Sequence, residues 1–258
     1  MSVTPLIREL EGLGELKRAE ELQRQVWGRD DPPDNADLML AIQHEGGLIA
    51  GAFHDGAMLG FLFAFPSAAP GVQHSHRLAV LPAARGLRLG LGLKWFQRRW
   101  CLDRGITHVR WTYDPLRAVN AGLNVAALGG VSNRYLIDYY GAMPGINAGL
   151  PSDRIMLDWH LQAPGVEARA ADPDRAPPRP PEVARTVSIP ADLDALMRRD
   201  PAAALQERLR LRASLTAAFA EGLQIADFDR DANAYLLAPR PDPKPDNNNT
   251  DMPQGTTS

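Results

Sequence analysis

Residues 74–105 hold the residue types and the spacing that can bind a phosphate group. An apolar segment with Leu78 and Val80 runs into Pro82, and a turn rich in arginine and glycine follows. From Arg85 onward the periodicity predicts a long amphipathic helix. A strand that enters a glycine-bearing loop at a helix start directs backbone N–H groups and the positive end of the helix dipole to one point. The stretch therefore predicts a phosphate-binding loop.

The elements that position this loop follow from hydrophobic periodicity. Strands are predicted at 4–9, 47–53, 57–65, 72–81, 107–113, 134–140 and 154–161, and helices at 14–27, 85–103 and 118–128, with a short helix after Asn35. Asp55-Gly56 between two apolar runs is a strong hairpin signal. Strands and helices in this order indicate an α/β (α+β) fold with a mixed sheet.

The placement of the prolines divides the chain into four predicted parts. Residues 1–162 form the main domain, and residues 163–182, with six prolines, form a linker. Residues 183–238 predict a small β-α-β-β extension near the lower size limit for independent stability, so we expect it to dock on the first domain or on a second subunit. Residues 239–258 are predicted to be a disordered tail.

Composition argues against several classes of function. The 258 residues are 45% hydrophobic and 23% charged, as in an ordinary soluble globular protein. A net charge of −3 gives no case for nucleic-acid or anionic-membrane binding, and no apolar run is long enough to span a membrane. The six histidines show no metal-ligand spacing with cysteine or carboxylates, so no metal is predicted. A lone cysteine, Cys101, and the lack of a signal-peptide pattern lead us to expect a cytoplasmic protein.

The spacing V-x-P-x-x-R-G-x-x-x-G from Val80 to Gly90 resembles motif A of the GNAT superfamily of coenzyme-A-dependent N-acyltransferases. The resemblance covers roughly residues 1–162, and the order of the predicted elements supports it. In detail the chain is similar to a branch of that superfamily with a C-terminal extension. The segments that carry this likeness are LAVLP, WTYDPLRAVNAGLN, RYLIDYYG and NAGLPSDRIMLDW.

The resemblance implies a GNAT-like fold with acetyl-CoA or another acyl-CoA as co-substrate. The cofactor-binding residues that it implies are Leu78, Val80, Arg85, Gly86, Leu87, Arg88, Leu89, Gly90 and Asn120, with Asn124 as a rival to Asn120. Arg88 stands where the family pattern has its middle glycine. Its N–H and guanidinium can support the pyrophosphate, or its side chain can crowd the loop.

Acyl transfer to an amine requires the neutral amine, and a lysine-like amine is neutral in only about 1 in 2,500 molecules at pH 7. A general base is therefore needed. We predict His76, which shares a strand face with His74, as this base; a structural histidine is the alternative. Glu45 and Asp114 are weaker candidates.

In the family a tyrosine usually protonates the leaving thiolate, and the nearest corresponding residue here is Val125. Tyr140, predicted on the following strand beside Tyr139, is the candidate acid, and an aromatic residue of the core or rim is the alternative.

The function that we expect is acyl transfer to an unidentified amine, on a small molecule or a protein, by direct attack on the thioester. The alternative is a GNAT-like CoA-binding or assembly module without catalysis, which Arg88 and the missing tyrosine motivate. A homodimer formed through the C-terminal extension is a further hypothesis.

Overall fold

The computed structural model describes residues 5–28, 30–141, 149–173 and 182–241. The strands are β1 (Leu6–Glu9), β2 (Leu48–His54), β3 (Ala57–Pro66), β4 (Val72–Val80), β5 (His108–Tyr113), β6 (Val131–Leu136), β7 (Arg154–His160), β8 (Arg185–Ser188), β9 (Leu223–Asp229) and β10 (Ala234–Pro239). The helices are α1 (Gly12–Trp27), α2 (Ala36–His44), α3 (Leu89–Leu102), α4 (Ala118–Ala121), α5 (Pro164–Ala171), α6 (Leu193–Arg199) and α7 (Pro201–Ala220).

The strands of the described residues form one mixed sheet in the order β1-β2-β3-β4-β5-β7-β6-β9-β10-β8. β4 and β5 pair in parallel, and their neighbours β3 and β7 pair with them antiparallel. Ser132 of β6 pairs with Ile225 of β9, so the sheet continues from the N-terminal part of the chain into the C-terminal strands. The predicted mixed α/β fold is confirmed.

Helices cover both faces of the N-terminal half of this sheet. Along β3, Leu62 and Ala64 belong to the hydrophobic core around α3, whereas Phe61 and Phe63 belong to the core around α1 and α2. This division follows from the alternation of side chains along a strand. The predicted apolar stripe of α1 is buried in the second core at Leu16, Ala19 and Leu22.

The turn between β2 and β3 is the predicted hairpin. Asp55 and Gly56 have φ angles of 49° and 77°, and His54 pairs with Ala57. A positive φ at both central residues is what a tight two-residue hairpin turn requires. The Asp-Gly signal therefore fixed the register of these two strands locally.

In the region after β5, the structure differs from the sequence prediction at two elements. The helix expected at 118–128 begins as α4 and continues as a π-helical turn over Gly122–Ala127. The strand expected at 134–140 ends at Leu136, so the prediction that Tyr139 and Tyr140 lie on a strand is wrong. Both tyrosines follow Asp138, which takes a φ of 46° and whose carboxylate accepts the N–H of Ser152 at 3.0 Å.

The predicted linker is in part a helix. α5 has Pro164 in its first turn, where backbone N–H groups have no partner within the helix, so the missing N–H of proline costs nothing. Val166 of this helix is buried. Residues 174–181 of the linker, and the predicted tail from 242 onward, lie outside the described residues. The tail's first residue, Pro239, ends β10 instead.

The C-terminal extension contains one helix more than predicted. Asp192 and Asp200 cap α6 and α7 by accepting the backbone N–H groups of Ala195 and Ala203. The extension docks on the N-terminal part through the β6–β9 pair and through Arg208 of α7. None of the helices in the described ranges is long and apolar enough to cross a membrane.

Candidate functional site

The parallel pairing of β4 and β5 is short, and the strands separate beyond it. The pairs run from Val72 with His108 to His74 with Arg110, although both strands continue for several residues. Backbone groups of β4 after residue 74 therefore face the gap between the two strands instead of β5. This gap is the centre of the candidate site.

A β-bulge at His76 changes the direction of the side chains along β4. Ser75 pairs with Ala64 and Arg77 pairs with Phe63, which leaves His76 as the extra residue. Before the bulge, Ser75 contacts side chains of α3; after it, Leu78 packs against the core around α3. The bulge thus places Ser75 and Leu78 on the side of α3, whereas the ring of His76 lies against Phe63 and Phe65 and also lines the cleft described below.

The loop before α3 has the backbone geometry of the predicted phosphate-binding loop. Gly86 and Arg88 have φ angles of 94° and 55°, and α3 begins at Leu89. The first N–H groups of a helix have no acceptor within it, so those of Leu89 and Gly90 are oriented for an anion. Leu89 is buried and offers only its backbone, whereas Leu87 is exposed.

The side chain of Arg88 leaves this loop. Its guanidinium donates a hydrogen bond to the carbonyl of Pro173 at 2.9 Å, beyond the end of α5. At Gly90, a Cβ would stand 3.8 to 4.0 Å from the side chains of Leu78, Val80 and Leu123, which is ordinary contact. The loop therefore stays open despite the arginine, and the apolar groups beside Gly90 line the route from the loop to the gap.

Two cavities meet at Leu123. A cleft of about 560 Å³ occupies the gap between β4 and β5 and includes the predicted residues His76, Leu78, Asn120 and Tyr140; Asn124 lines it as well. A groove of about 970 Å³ runs along α4 to the C-terminal extension and includes Arg88. Together they connect the start of α3 with the gap in the sheet.

His76 lies at the outer end of the cleft beside an acidic side chain. Its Nε2 is 3.3 Å from the carboxylate of Asp34, which also pairs with Arg77 at 3.0 Å. His74, in the same cleft, is stacked on Phe65, and burial together with the charge of its neighbours lowers its pKa to about 4. His74 is therefore neutral at neutral pH, whereas His76 has a carboxylate that can orient its ring.

Tyr140 lies on the opposite wall. Its hydroxyl is 3.0 Å from Oγ1 of Thr112 on β5, and the guanidinium of Arg154 stands 5.2 Å from the centre of its ring. Half of the residue is exposed. The turn after β6 thus brings Tyr140 to the cleft although it is not on a strand.

The structure does not bring Asp114 or Glu45 to the cleft. Both oxygens of Asp114 accept hydrogen bonds from the buried guanidinium of Arg208, at 2.8 and 2.6 Å. Glu45 lines a separate shallow depression with Phe65. The bidentate pair gives Asp114 a structural role in joining β5 to α7.

Sequence reasoning missed Lys94, which lines the cleft although it is only 2% exposed. Its Nζ donates hydrogen bonds to Oγ of Ser75 at 2.7 Å and to Oε1 of Gln97 at 3.1 Å. Nζ also lies 3.7 Å from the centre of the Trp111 ring. Burial lowers the pKa of Lys94 to about 7. The spacing Lys94, Gln97, Cys101 along one face of α3 was the available signal.

The described residues contain no cluster of histidine, cysteine or carboxylate side chains that could hold a metal ion. A search of the curated proteins gives no match. The site must therefore be interpreted from its geometry, from family models and from solved structures.

Two solved structures share this fold across most of their own length. The ribosomal-protein-S18-alanine N-acetyltransferase from Escherichia coli is 19% identical, with a TM-score of 0.51 over 62% of this chain and 96% of that one. YncA from Salmonella typhimurium, described as a putative acetyltransferase with its cofactor acetyl-CoA, is 16% identical, with a TM-score of 0.51 over the same shares. At these identities the likeness shows the fold alone.

The model of the acetyltransferase (GNAT) family matches residues 16–123. This range runs from α1 to α4 and contains the separated strands, the bulge and the loop before α3. The family match and the shared fold agree with each other. Residues 16–123 of this chain therefore match the GNAT acetyltransferase family.

Proposed function

We propose that this protein transfers an acyl group from a coenzyme A thioester to an amine. The observation that carries the proposal is the separation of β4 from β5 directly beside the start of α3. A thioester in the gap meets free backbone groups of β4, while an attached pyrophosphate reaches the first N–H groups of α3. The acyl-CoA-binding residues are those predicted: Leu78, Val80, Arg85, Gly86, Leu87, Arg88, Leu89, Gly90 and Asn120.

The loop fits the diphosphate of coenzyme A in two respects. The φ angles of Gly86 and Arg88 turn the chain so that successive backbone N–H groups converge before α3. The guanidinium of Arg88 lines the adjoining groove and adds positive charge there without filling the loop. This arrangement speaks against one of the two reasons for a CoA-binding or assembly module without catalysis, namely the crowding of the loop by Arg88.

His76 is the proposed base on the acceptor side. The carboxylate of Asp34 orients its imidazole, so that the ring can take the proton that leaves the amine. The amine enters from the end of the cleft lined by Trp27, Asp31 and Pro32, attacks the thioester carbon, and the resulting oxyanion meets N–H groups of β4. The acyl group moves directly to the amine, without a covalent enzyme intermediate.

Tyr140 is the proposed acid for the leaving thiolate. Its hydroxyl is held by Thr112 and faces the same cleft as His76 from the other wall. The two groups therefore lie on opposite sides of the gap. This suits a reaction in which His76 removes a proton from the amine on one side of the carbonyl and Tyr140 gives a proton to the thiolate on the other. This assignment replaces the family's tyrosine, whose position Val125 occupies in the buried core.

The test of the function is release of free CoA thiol from a panel of acyl-CoAs in the presence of a panel of amines. We expect turnover with at least one pair, and Tyr140→Phe should lower kcat by about 100-fold while the KM for the acyl-CoA stays within a factor of about three. Tyr139→Phe is the matched control, because its ring is adjacent and similarly exposed. Absence of both CoA binding and CoA release across the panels would refute the function.

A further inference from the structure

Lys94 lies where the two strands that border the gap begin to separate. The last parallel pair of β4 and β5 is His74 with Arg110, and the next residues, Ser75 and Trp111, both contact Nζ of Lys94. The amine therefore stands at the vertex where the two strands separate. If a thioester occupies the gap, as the proposed function requires, an acyl chain that extends between the strands ends at this vertex.

The electrostatic surroundings of Lys94 are unusual for a buried cation. Its hydrogen-bond partners, Ser75 and Gln97, are neutral, and no ion pair of the described residues includes it. Gln97 is itself held, because its Nε2 donates to Gln73 at 2.7 Å. An ammonium has three donors, and the two bonds to protein oxygens leave one. A buried ammonium without a carboxylate is costly, and an anionic ligand group removes that cost.

The lining of the cleft favours an anion as well. Among its described lining residues the only carboxylate is Asp31, which lies at the outer end and is paired with Arg77 at 3.0 Å. Lys94 and Arg154 line the cleft as well. Its lining therefore contains more cationic than anionic side chains, and Lys94 is the most deeply buried of these cations.

We propose that the acyl donor carries a carboxylate at the far end of its acyl chain, as malonyl-CoA and succinyl-CoA do, and that Lys94 binds this carboxylate. The inference rests on the proposed function and names its donor class. Ser75 and Gln97 position the amine, and Trp111 closes its other side. The carboxylate of the acyl chain forms a charge-assisted hydrogen bond with Nζ.

The test compares donors that differ only at this end of the chain. Succinyl-CoA and butyryl-CoA have acyl chains of equal length, one ending in a carboxylate and the other in a methyl group. Titration calorimetry with the full-length protein should show that succinyl-CoA binds about tenfold or more tightly than butyryl-CoA or acetyl-CoA. No amine acceptor is required for this measurement.

Lys94→Met keeps the length of the side chain and removes its charge. We expect it to abolish the preference for succinyl-CoA while the affinity for butyryl-CoA stays within a factor of about three. Arg99→Met is the matched control, since Arg99 is an exposed cation on the same helix. Retention of the preference in Lys94→Met, or an equal loss of affinity for all donors, would overturn the proposal.

A second measurement needs no variant. The preference of the wild-type protein should be largest near pH 6 and should decrease toward about pH 9, because the free amine of Lys94 titrates near pH 7. The two neighbouring groups with shifted pKa values do not change charge in this range, because the pKa of His74 is lowered to about 4 and the pKa of Cys101 is raised to about 12. A preference that does not change with pH would count against Lys94 as the carboxylate's partner.

The outcomes also separate this inference from the proposed function. Binding and turnover of acetyl-CoA with no preference for succinyl-CoA would overturn the donor class and leave acyl transfer intact. Failure of every acyl-CoA to bind would refute both.

Discussion

Two buried cations of this protein have opposite surroundings. Arg208, 1% exposed, donates two hydrogen bonds to the carboxylate of Asp114 where α7 meets the end of β5. Lys94, 2% exposed, has only neutral partners where β4 leaves β5. Among the residues that the structure describes, Arg208 has a carboxylate that neutralises its charge, whereas Lys94 has none. The comparison separates a cation that joins two parts of the protein from one that can accept a ligand.

The same comparison explains the fate of the predicted base Asp114. A carboxylate at the end of β5 is close to the candidate site in sequence, but both of its oxygens are engaged by Arg208. A pair of this geometry fixes α7 against β5 and leaves Asp114 without a free lone pair directed at the cleft. Its pairing with the buried Arg208 therefore gives Asp114 a structural role and not a role as base.

The largest expected effect on stability comes from substituting Arg208, the cation that is paired with a carboxylate. Arg208→Met leaves Asp114 without its partner and should lower the free energy of unfolding by about 3–5 kcal/mol, which denaturant titration measures. Arg210→Met, on the exposed side of α7, is the control and should change stability by less than about 1 kcal/mol. If the two variants were equally stable, the buried pair of Arg208 and Asp114 would not contribute to the stability of the fold.

A pH series distinguishes the two cations further. Burial lowers the pKa of Lys94 to about 7, so the unfolded chain, with a lysine pKa of about 10.4, binds more protons between these values. The stability of the wild type relative to Lys94→Met should therefore rise from pH 7 to pH 10, by at most about 1.4 kcal/mol per pH unit. Groups that do not interact with Lys94 cancel in this difference, and its neighbours His74 and Cys101, with pKa values of about 4 and about 12, titrate outside this range. A constant difference across the series would mean that Lys94 keeps its ordinary pKa.

At neutral pH the substitution Lys94→Met should have a small effect on stability. The apolar side chain relieves the burial of an amine, while Ser75 loses a donor, and the net change should stay within about 1.5 kcal/mol by thermal or chemical unfolding. A loss comparable to that of Arg208→Met would show that Lys94 also acts mainly in structure.

The smallest effect is expected for an exposed cation, Arg88. Arg88→Gly restores the family's glycine at a φ of 55°, a conformation that glycine adopts readily, and removes the contact with Pro173. Stability should change by less than about 1 kcal/mol, and the affinity for CoA should fall by less than about tenfold, by calorimetry. A gain in affinity would show that the arginine crowds the loop.

Local features of the fold were predictable because a few neighbouring residues determine them. Asp55-Gly56 specifies a hairpin turn by its own conformational preferences, and the apolar stripe of α1 requires only helical periodicity. The loop before α3 was recognised for the same reason, since Arg85, Gly86 and Gly90 are close in sequence.

The site as a whole was less predictable. The separation of β4 from β5 and the bulge at His76 depend on pairing between distant segments, which periodicity does not report. Lys94 was overlooked because a lysine in an amphipathic helix usually faces solvent. Tyr140 was expected on a strand, and the turn at Asp138 places it at the cleft by another route.

The sequence by itself determined the mixed α/β class, because the periodicity of each helix and strand is local and their order can be read along the chain. It also determined the loop before α3 and the family that the motif resembles, because those residues are close neighbours in sequence. Only the tertiary structure decided which charges were paired. Arg208 meets Asp114 across 94 positions of the chain, and Lys94 meets Ser75 and Trp111 at the point where two strands separate. Whether a buried charge is neutralised depends on partners distant in sequence, and in this protein that difference separates the structural arginine from the lysine proposed to bind the substrate.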